Sequence, residues 1–399
     1  MIIGLYGISG CGKTSLCKLI EKYTDLFRMI DGSVLMEEII PGGISAFKKM
    51  SDTDKYKYRE IVIREIESRH RDSSYHTIVT GHYSFLKTDG EYEIAWTEAD
   101  GKVYDHIFCI KDSASEIKEQ CINDSNRVRI NHPVSKLEQW QNLECEKLEE
   151  KCRLKNIPFS LITSHEIDNR LIEFYEILSK YRIIKLCEEL KPDSNKKYSI
   201  FDCDGTLFSG DSLDYLSDSE YMNKKKIRSI FEKNGDYCFK SFFEIAQYYS
   251  QVPFEIMQNF IDHASKTITL NPDMFDILRN QEYDRQLIWI TSGFPEIWEL
   301  IAHKYELEVT IVGGNNLLRS DFIVSNEEKE LLVQTLVEQG AEVSAYGDSM
   351  VDAGMLKNAQ QAFLVMGKKK RSMLNEYLSK HDNLSYIYLL QNDTYEVSE

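Results

Sequence analysis

The stretch Gly7-Ile8-Ser9-Gly10-Cys11-Gly12-Lys13-Thr14 fits the pattern G-x-x-x-x-G-K-S/T. The apolar segment Ile2 to Tyr6 precedes it, and apolar residues follow it at the helical spacing of positions 16, 19, 20 and 23. A strand, a glycine-rich turn and a helix in this order predict a phosphate-binding loop. The same order favours a parallel α/β domain for this part of the chain.

The residue types of this loop suit a nucleoside triphosphate. The glycines let successive backbone N–H groups point inward, and the N-terminus of the following helix adds positive potential. Lys13 would bridge the β- and γ-phosphates, and the Thr14 hydroxyl would bind Mg²⁺, so we predict ATP and Mg²⁺ as cofactors. The predicted nucleotide-binding residues are Gly7, Ser9, Gly10, Cys11, Gly12, Lys13, Thr14 and Ser15.

A second motif, Asp202-Cys203-Asp204-Gly205-Thr206, follows the apolar run Tyr198 to Phe201. Asp202 can attack phosphorus without a base, because an ordinary Asp with a pKa of about 3.9 is ionised at neutral pH. Asp204 can protonate the leaving oxygen and then deprotonate the hydrolytic water, which requires surroundings that raise its pKa. Two carboxylates this close repel each other and a phosphate, so Mg²⁺ is predicted as their shared counter-charge.

Later segments supply the other parts of such a site in chain order. Thr291 ends an apolar strand and offers a hydroxyl to a phosphoryl oxygen, and Lys329 can neutralise a phosphoaspartate. Asp348 would bind the metal together with Asp202 and Asp204, and Asp352 would orient it.

Composition narrows the class of protein. The 399 residues suffice for two domains, and 42% hydrophobic with 28% charged residues excludes a mostly disordered chain. A net charge of -17 disfavours extensive electrostatic binding of nucleic acid, whereas small phosphorylated metabolites or nucleotides remain suitable partners.

The nine scattered cysteines indicate reduced thiols, and no apolar run reaches the roughly 18 residues that span a bilayer. We expect a cytoplasmic protein without a membrane partner; the oligomeric state stays open.

Short apolar runs alternate with amphipathic helical segments along most of the chain. This alternation predicts the α/β class, with two doubly wound parallel-sheet domains. We place the first domain at residues 1–190, a polar linker at 191–197 and the second domain at 198–399. Residues 212–283 show several helical patterns and no convincing strand, which predicts a helical cap inserted in the second domain.

Residues 1 to 165 resemble the nucleoside monophosphate kinases, particularly the archaeal-type adenylate kinases. The resemblance rests on the phosphate loop, on the segment that Asp31 opens, on a strand ending in Thr80-Gly81-His82-Tyr83, and on a lid segment with Arg127 and Arg129. It implies an acceptor site beside Asp31 and His82, and two arginines that neutralise the transferred phosphoryl group. Thr80 stands where that group usually has an Asp.

Residues 198 to 366 resemble the haloacid dehalogenase superfamily of phosphatases, and within it the phosphoserine phosphatase-like branch. The resemblance implies that Asp202 is the nucleophile and Asp204 the acid/base. It also implies substrate contacts from Asp211, Ser292, Gly293 and Asp352. Asp211 occupies the place where phosphoserine phosphatases carry a glutamate that meets the substrate amine, and Ser292 stands where they have glycine. The substrate is therefore not assigned to phosphoserine.

We predict a bifunctional enzyme, in which an ATP-dependent kinase for a nucleoside monophosphate or similar small acceptor is fused to a Mg²⁺-dependent phosphomonoester hydrolase. One alternative is a nucleic-acid end-processing enzyme similar to phage-type polynucleotide kinase-phosphatases, with Asp31 as the base for a 5′-hydroxyl. The net negative charge of the chain and the helical cap disfavour this alternative. Another is a phosphatase regulated by a nucleotide-sensing P-loop domain, which Thr80 favours.

Overall fold

The structure, a computed structural model, describes residues 1–71, 73–87, 89–123, 132–216, 221–235, 237–281, 283–366, 374 and 384–388. The chain divides into two units, unit 1 (Met1–Phe174) and unit 2 (Tyr175–Glu399). The division falls inside a long helix that precedes the polar segment 191–197.

Unit 1 consists of parallel strands and helices that alternate along the chain. Its strands are β1 (Ile2–Tyr6), β2 (Phe27–Asp31), β3 (His76–Thr80), β4 (Ser84–Leu86), β5 (Tyr92–Ile94), β6 (His106–Ile110) and β7 (Phe159–Ile162). Its helices are α1 (Lys13–Tyr23), α2 (Gly32–Ile39), α3 (Gly43–Phe47), α4 (Asp52–Arg71), α5 (Asp100–Val103), α6 (Ala114–Asn123), α7 (Val134–Lys155) and the start of α8 (Ile167–Leu190).

The main sheet of unit 1 has the order β2-β3-β1-β6-β7, with every neighbouring pair parallel. Strand β1 lies in the middle and all five of its residues are buried, as expected for a parallel strand covered on both faces. The segment after β1 therefore leaves the sheet at its carboxyl edge, where doubly wound folds bind ligands. Strands β4 and β5 form a separate antiparallel pair.

Unit 2 begins with the rest of α8 and contains a second parallel sheet. Its strands are β8 (Lys197–Asp202), β9 (Gln286–Thr291), β10 (Thr310–Gly313), β11 (Glu342–Gly347), β12 (Gln361–Met366) and β13 (Leu384–Tyr388). Its further helices are α9 (Lys224–Asn234), α10 (Phe239–Tyr249), α11 (Phe254–Thr267), α12 (Pro272–Gln281), α13 (Pro295–Lys304), α14 (Asn326–Glu338) and α15 (Ala353–Asn358), with short 3-10 helices at Ser212–Tyr215 and Met350–Asp352.

The strand order in unit 2 is β10-β9-β8-β11-β12-β13, again parallel throughout. Strand β8 lies between β9 and β11, with Asp202 level with Ile290 and Phe201 level with Tyr346. The carboxyl ends of β8, β9 and β11 therefore meet at one edge of the sheet.

The described residues between β8 and β9 form helices α9 to α12 and one 3-10 helix. Their apolar faces share a buried cluster with the sheet, in which Phe260 and Tyr249 contact Phe294 with ring centroids 5.2 and 4.8 Å apart. This cluster fixes the inserted helices against the segment that follows β9, since close-packed aromatic side chains leave little freedom.

The predicted fold class, α/β with two parallel sheets, is confirmed. Among the residues that the structure describes, no helix combines the length and the apolarity that crossing a membrane requires.

Candidate active sites

The loop between β1 and α1 depends on three glycines. Gly7, Gly10 and Gly12 have φ angles of 138°, 92° and 93°, a region that other residue types rarely adopt. At Gly7 a Cβ would also lie 2.7 Å from the Cys11 Sγ. The turn brings the first N–H groups of α1 to the carboxyl edge of the sheet, where they can bind an anion.

Lys13 lies over this loop. Its Nζ donates to the carbonyl oxygen of Gly7 and lies 3.3 Å from that of Ile8. Thr14 and Ser15 are exposed in the first turn of α1. An ammonium group, exposed hydroxyls and helix N–H groups thus lie together, and this donor set fits a triphosphate with its Mg²⁺.

The remaining predicted nucleotide-binding residues differ in what they can offer. Ser9 and Gly10 are half-buried in the loop, whereas the side chain of Cys11 is fully buried. Burial raises the pKa of the Cys11 thiol above its ordinary value. Only the backbone of Cys11 is therefore placed to contact a nucleotide.

The predicted acceptor residues lie at the carboxyl ends of neighbouring strands. Asp31 and Thr80 are register partners of β2 and β3, and the Asp31 carboxylate accepts a hydrogen bond from the Ser33 N–H at 2.8 Å. The His82 ring lies 4.9 Å from that of Phe85. Asp31 thus supplies a carboxylate at the edge where β3 ends in Thr80, and the contact of His82 with an acceptor stays a prediction.

The predicted lid arginines, Arg127 and Arg129, lie outside the described residues.

In unit 2, Lys329 links two of the predicted aspartates. Its Nζ lies 2.5 Å from Oδ1 of Asp202 and 2.8 Å from Oδ1 of Asp352. All three side chains are buried. Burial alone would lower the pKa of Lys329, but the charges of Asp202 and Asp352 raise it above its ordinary value. The two aspartates therefore favour the charged form of Lys329 beside the predicted nucleophile.

Asp352 is fully engaged in fixing the site. Its Oδ1 accepts from Lys329, and its Oδ2 accepts from the backbone N–H groups of Asp348 and Ser349 at 3.1 and 3.0 Å and from the Ser349 hydroxyl at 2.9 Å. These bonds fix the turn after β11 and thereby the carboxylate of Asp348. The orienting role of Asp352 stays a prediction, with which these bonds agree.

The carboxylate oxygens of Asp202, Asp348 and Asp352 include a set that lies within 4.8 Å of one another. Three buried carboxylates beside the Lys329 ammonium carry excess negative charge when all are ionised, which a further cation or a proton would offset. Oxygen donors are what Mg²⁺ prefers, so the residues present fit the ion. The carboxylate of Asp204 is not in this set, and its predicted role as a metal ligand stays a prediction.

Gly205 lets the turn after β8 approach Asp348. Its φ is 81°, and a Cβ there would lie 2.3 Å from Asp348 Oδ2. A side chain at this position would therefore occupy the space of the carboxylate.

Asp204 lies in a different environment from Asp202. Its Oδ1 accepts from the Ser212 N–H at 2.6 Å. Burial and then the Asp211 carboxylate raise the pKa of Asp204 to about 7, although the Ser212 hydrogen bonds oppose the shift. A carboxyl group with this pKa can give and take a proton near neutrality.

The pKa of Asp202 is also raised, by burial and by Asp352, whereas Lys329 acts in the opposite direction. Burial is the largest cause and the neighbouring carboxylates add to it, and a divalent cation bound here would oppose both.

Thr291 and Gly293 border the space beside the Asp204 carboxylate. The Thr291 hydroxyl accepts from the Gly293 N–H at 2.9 Å. A Cβ at Gly293 would lie 3.1 Å from Thr291 Oγ1 and 3.2 Å from Asp204 Oδ2. Gly293 thus keeps open the space between the predicted acid/base and the hydroxyl predicted to bind phosphate.

Two predicted substrate residues are less clearly placed. The Ser292 hydroxyl is buried and has no hydrogen-bond partner among the residues that the structure describes. Asp211 is exposed and caps the 3-10 helix by accepting from the Leu213 N–H at 2.9 Å. Their contacts with a substrate stay predictions.

Sequence reasoning missed two residues that position parts of these sites. The Ser212 N–H holds Asp204, and Glu144 of α7 accepts from the backbone N–H groups of Tyr83 and Ser84 at 2.7 and 2.9 Å. The available signal for Glu144 was a charged residue on the apolar face of a helix, since positions 137, 140, 141, 144, 145 and 148 are all buried. Ser212 gave no signal, because it acts through its backbone.

Two family models match the chain. Residues 6–138 match the model of an AAA domain, and residues 200–357 match the model of haloacid dehalogenase-like hydrolases. No curated protein matched the chain.

Several solved structures are similar to parts of the chain. A phospho-aspartyl intermediate analogue of a phosphoserine phosphatase is 20% identical, with 46% of this chain and 91% of that chain covered and a TM-score of 0.35. A thymidylate kinase from Candida albicans is 15% identical, with 45% and 92% covered and a TM-score of 0.33. The structure of the Pnkp1/Rnl/Hen1 RNA repair complex is 13% identical, with 90% and 91% covered and a TM-score of 0.28.

The two family matches fall within the two predicted domains. The chain contains an AAA-type P-loop domain followed by a haloacid dehalogenase-like hydrolase domain, a combination that indicates a kinase plus a phosphatase.

Proposed function

We propose that the kinase domain transfers a phosphoryl group from ATP to a nucleoside monophosphate or a similar small acceptor. We also propose that the phosphatase domain hydrolyses a phosphomonoester through a phosphoaspartate on Asp202. The observation that carries the proposal is the contact of Lys329 with Asp202, beside an Asp204 whose pKa is about 7.

The phosphatase reaction follows from the different environments of the two aspartates. A carboxylate oxygen of Asp202 attacks phosphorus while the bond to the leaving oxygen breaks, and protonated Asp204 gives its proton to that oxygen. Asp204 then takes a proton from water, whose oxygen attacks phosphorus and releases phosphate and the free carboxylate of Asp202. Lys329 and the Thr291 hydroxyl neutralise and orient the phosphoryl oxygens. When bound by Asp202 and Asp348, Mg²⁺ would offset the negative charge of carboxylates and phosphate.

The kinase reaction requires positioning and charge neutralisation rather than a covalent intermediate. The N–H groups of the loop at residues 7–14 and the Lys13 ammonium would bind the triphosphate. Asp31 is the carboxylate available at the acceptor edge, where it can orient or deprotonate an acceptor hydroxyl. Arg127 and Arg129 would neutralise the transferred group.

The two domains would act on different substrates or on different positions of one molecule, because opposing reactions at one position would only consume ATP. Reciprocal control of the two reactions would serve the same purpose. The helices inserted before β9 pack against Phe294 beside the phosphatase site, which favours a small substrate over a nucleic-acid strand.

A substrate panel tests the proposal. Purified protein is incubated with γ-labelled ATP, Mg²⁺ and either nucleoside monophosphates, other small alcohols and phosphates, or 5′-hydroxyl oligonucleotides. The same protein is assayed in parallel, without labelled ATP, for phosphate release from phosphoserine, sugar phosphates, nucleotides and 3′-phosphate oligonucleotides. We expect transfer to a small acceptor and hydrolysis of a small monoester.

Labelling of oligonucleotide 5′ ends together with loss of 3′ phosphates would replace the proposal with nucleic-acid end processing. Background ATP consumption with every acceptor, combined with an ATP-dependent change in phosphatase rate, would instead assign a sensing role to the P-loop domain.

A further inference from the structure

Arg170 connects three segments of unit 1 although it lies outside every motif. It occupies the first turn of α8 and is buried, with 2% of its surface exposed. Its Nη1 donates to the carbonyl oxygen of Cys11 at 2.7 Å, its Nε donates to that of Ser164 at 2.7 Å, and its Nη2 donates to Oδ2 of Asp112. A guanidinium group is suited to such a site because its donors have fixed directions in one plane.

The bond to Cys11 determines the direction of a neighbouring N–H group. In a trans peptide the carbonyl and the N–H point in opposite directions within one plane, and none of the described peptide bonds is cis. With the Cys11 carbonyl turned to Arg170, the N–H of Gly12 points away from Arg170. Gly12 precedes α1, so its N–H is one of the donors that a phosphate-binding loop presents to its anion.

The guanidinium also packs closely against the loop. A Cβ at Gly12 would lie 2.5 Å from Arg170 Nη1, and Gly12 has a φ of 93°. Glycine at this position therefore serves two purposes, since it permits the turn and admits the arginine. The G-x-x-x-x-G-K-S/T pattern accounts only for the first purpose.

Asp112 fixes Arg170 in turn. Its side chain is 0% exposed, and its Oδ1 accepts from the Ser113 N–H at 2.7 Å and lies 2.8 Å from Nδ1 of His165. The side chain of Gln141 bonds both the N–H and the carbonyl of Asp112, at 2.9 and 2.7 Å. Arg170 and its counter-ion are thus held from α7, from β6 and from the segment before α8.

We propose that Arg170 is a positioning residue of the nucleotide site, which orients the Cys11–Gly12 peptide so that the Gly12 N–H faces the triphosphate, and that Asp112 holds Arg170 in this role. The inference rests on the proposed function in that the loop binds ATP. It adds a residue pair that lies outside the loop and acts on it through one peptide group.

The test measures binding of a non-hydrolysable ATP analogue with Mg²⁺ to the full chain by titration calorimetry, so that no acceptor has to be known. The variants are Arg170→Ala, Arg170→Lys, Asp112→Asn and the control Arg71→Ala. Arg71 is an exposed arginine of the same unit, 3.7 Å from Glu67. Phosphatase activity and thermal unfolding of each variant report whether the chain is folded.

We expect Arg170→Ala to weaken binding about tenfold or more, as loss of a hydrogen bond to a charged group predicts. Arg170→Lys should show an intermediate loss, because one ammonium cannot reproduce the directions of the three bonds. Asp112→Asn alone should weaken binding of the analogue. Combined with Arg170→Ala it should cause little further loss, since Asp112 acts through the arginine. Arg71→Ala should bind like the wild type.

Chemical rescue separates positioning from general support of the fold. Methylguanidinium at millimolar concentration should restore part of the affinity of Arg170→Ala, and an equal concentration of sodium chloride should not. Affinity that is equal in Arg170→Ala and the wild type would overturn the inference and leave the proposed function intact. Loss of affinity without rescue, in parallel with lowered unfolding temperature, would also overturn it. A wild type that does not bind the analogue would overturn both.

Discussion

The Lys329 ammonium lies 2.5 Å from Oδ1 of Asp202, although 127 residues separate the two in the chain. Helix α14 brings the lysine to the carboxyl end of β8, where Asp352 accepts its second hydrogen bond at 2.8 Å. A buried ammonium is costly unless it is paired, and so are buried carboxylates. The pairing therefore determines both the stability of this edge of the sheet and the charge beside the phosphoryl group.

Lys329→Met should abolish most phosphatase activity. The variant keeps the volume of the side chain but leaves Asp202 and Asp352 without their cation, so we expect a rate lower by about two orders of magnitude or more. Breaking a buried pair from one side also destabilises a fold by about 3 to 5 kcal/mol. Activity with saturating Mg²⁺ and urea unfolding measure the two effects. Lys197→Met, which removes an exposed ion pair with Asp284, should change neither; equal effects from both variants would contradict the assignment.

The two activities should be lost independently. Asp202→Asn removes the nucleophile and should abolish phosphatase turnover while any kinase activity continues. Lys13→Ala removes the ammonium that lies over the P-loop and should have the reverse effect. Each variant serves as the folding control for the other when both assays are run on the same preparation. If either substitution removed both activities, the idea of independent sites would be wrong.

Gly205→Ala should weaken the binding of Mg²⁺ and not only lower the stability of the fold. The new Cβ would lie 2.3 Å from Asp348 Oδ2 at a φ of 81°, so the carboxylate has to move. We expect the Mg²⁺ concentration for half-maximal phosphatase activity to rise by about tenfold or more, since two carboxylates no longer face one ion. Gly235→Ala is the matched control, because Gly235 has a φ of 75° but open space around its Cα. A similar Mg²⁺ requirement in both variants would contradict the role of Asp348.

Much of the sheet architecture could be predicted from the sequence, because strands buried on both faces are continuous apolar runs. Strand β1 (Ile2–Tyr6) has the predicted bounds, and β8 (Lys197–Asp202) extends its predicted run by one residue at each end. The antiparallel pair β4 and β5 was missed, since three residues each are too few to show a period of two. Strand β13 was missed as well.

The aspartates and Thr291 of the predicted phosphatase motifs lie at or just after the ends of β8, β9 and β11, which end at one edge of the sheet, so their grouping could be expected from the sequence. Lys329 reaches the same edge from α14. Arg170 and Glu144 could not be predicted, because their partners are backbone groups more than 60 residues away, namely Cys11 for Arg170 and Tyr83 for Glu144. Patterns along a chain report which face a residue occupies. They do not report which carbonyl or N–H group it meets there.

Glu328 precedes Lys329 and should make the stability of unit 2 depend on pH. Its side chain is fully buried. Its Oε2 accepts from the Ser325 N–H at 3.0 Å and from the Ser325 hydroxyl at 2.5 Å, whereas Oε1 has no partner within the described part of the chain. Burial, opposed by the Ser325 hydrogen bonds, raises the pKa of Glu328 to about 7 from an ordinary value of 4.5.

A carboxyl group whose pKa is higher in the folded state binds its proton more tightly when folded. The free energy of unfolding therefore falls as pH rises from the unfolded pKa of 4.5 to the folded pKa of about 7, and the loss is complete above that. Glu328→Gln is neutral at every pH and keeps an oxygen for Ser325. Relative to this variant, the wild type should lose up to about 3 kcal/mol of stability between pH 5 and pH 8.

Urea unfolding of the wild type and of Glu328→Gln at pH 5 and pH 8 measures this difference. The control is Glu327→Gln, because Glu327 lies next to Glu328 in the first turn of α14 but is only half-buried and pairs with Lys180 at 2.7 Å. Only Glu328→Gln should flatten the pH dependence. The same slope in the wild type and in Glu328→Gln would mean that Glu328 does not titrate between pH 5 and pH 8 in the folded chain, and would contradict the prediction.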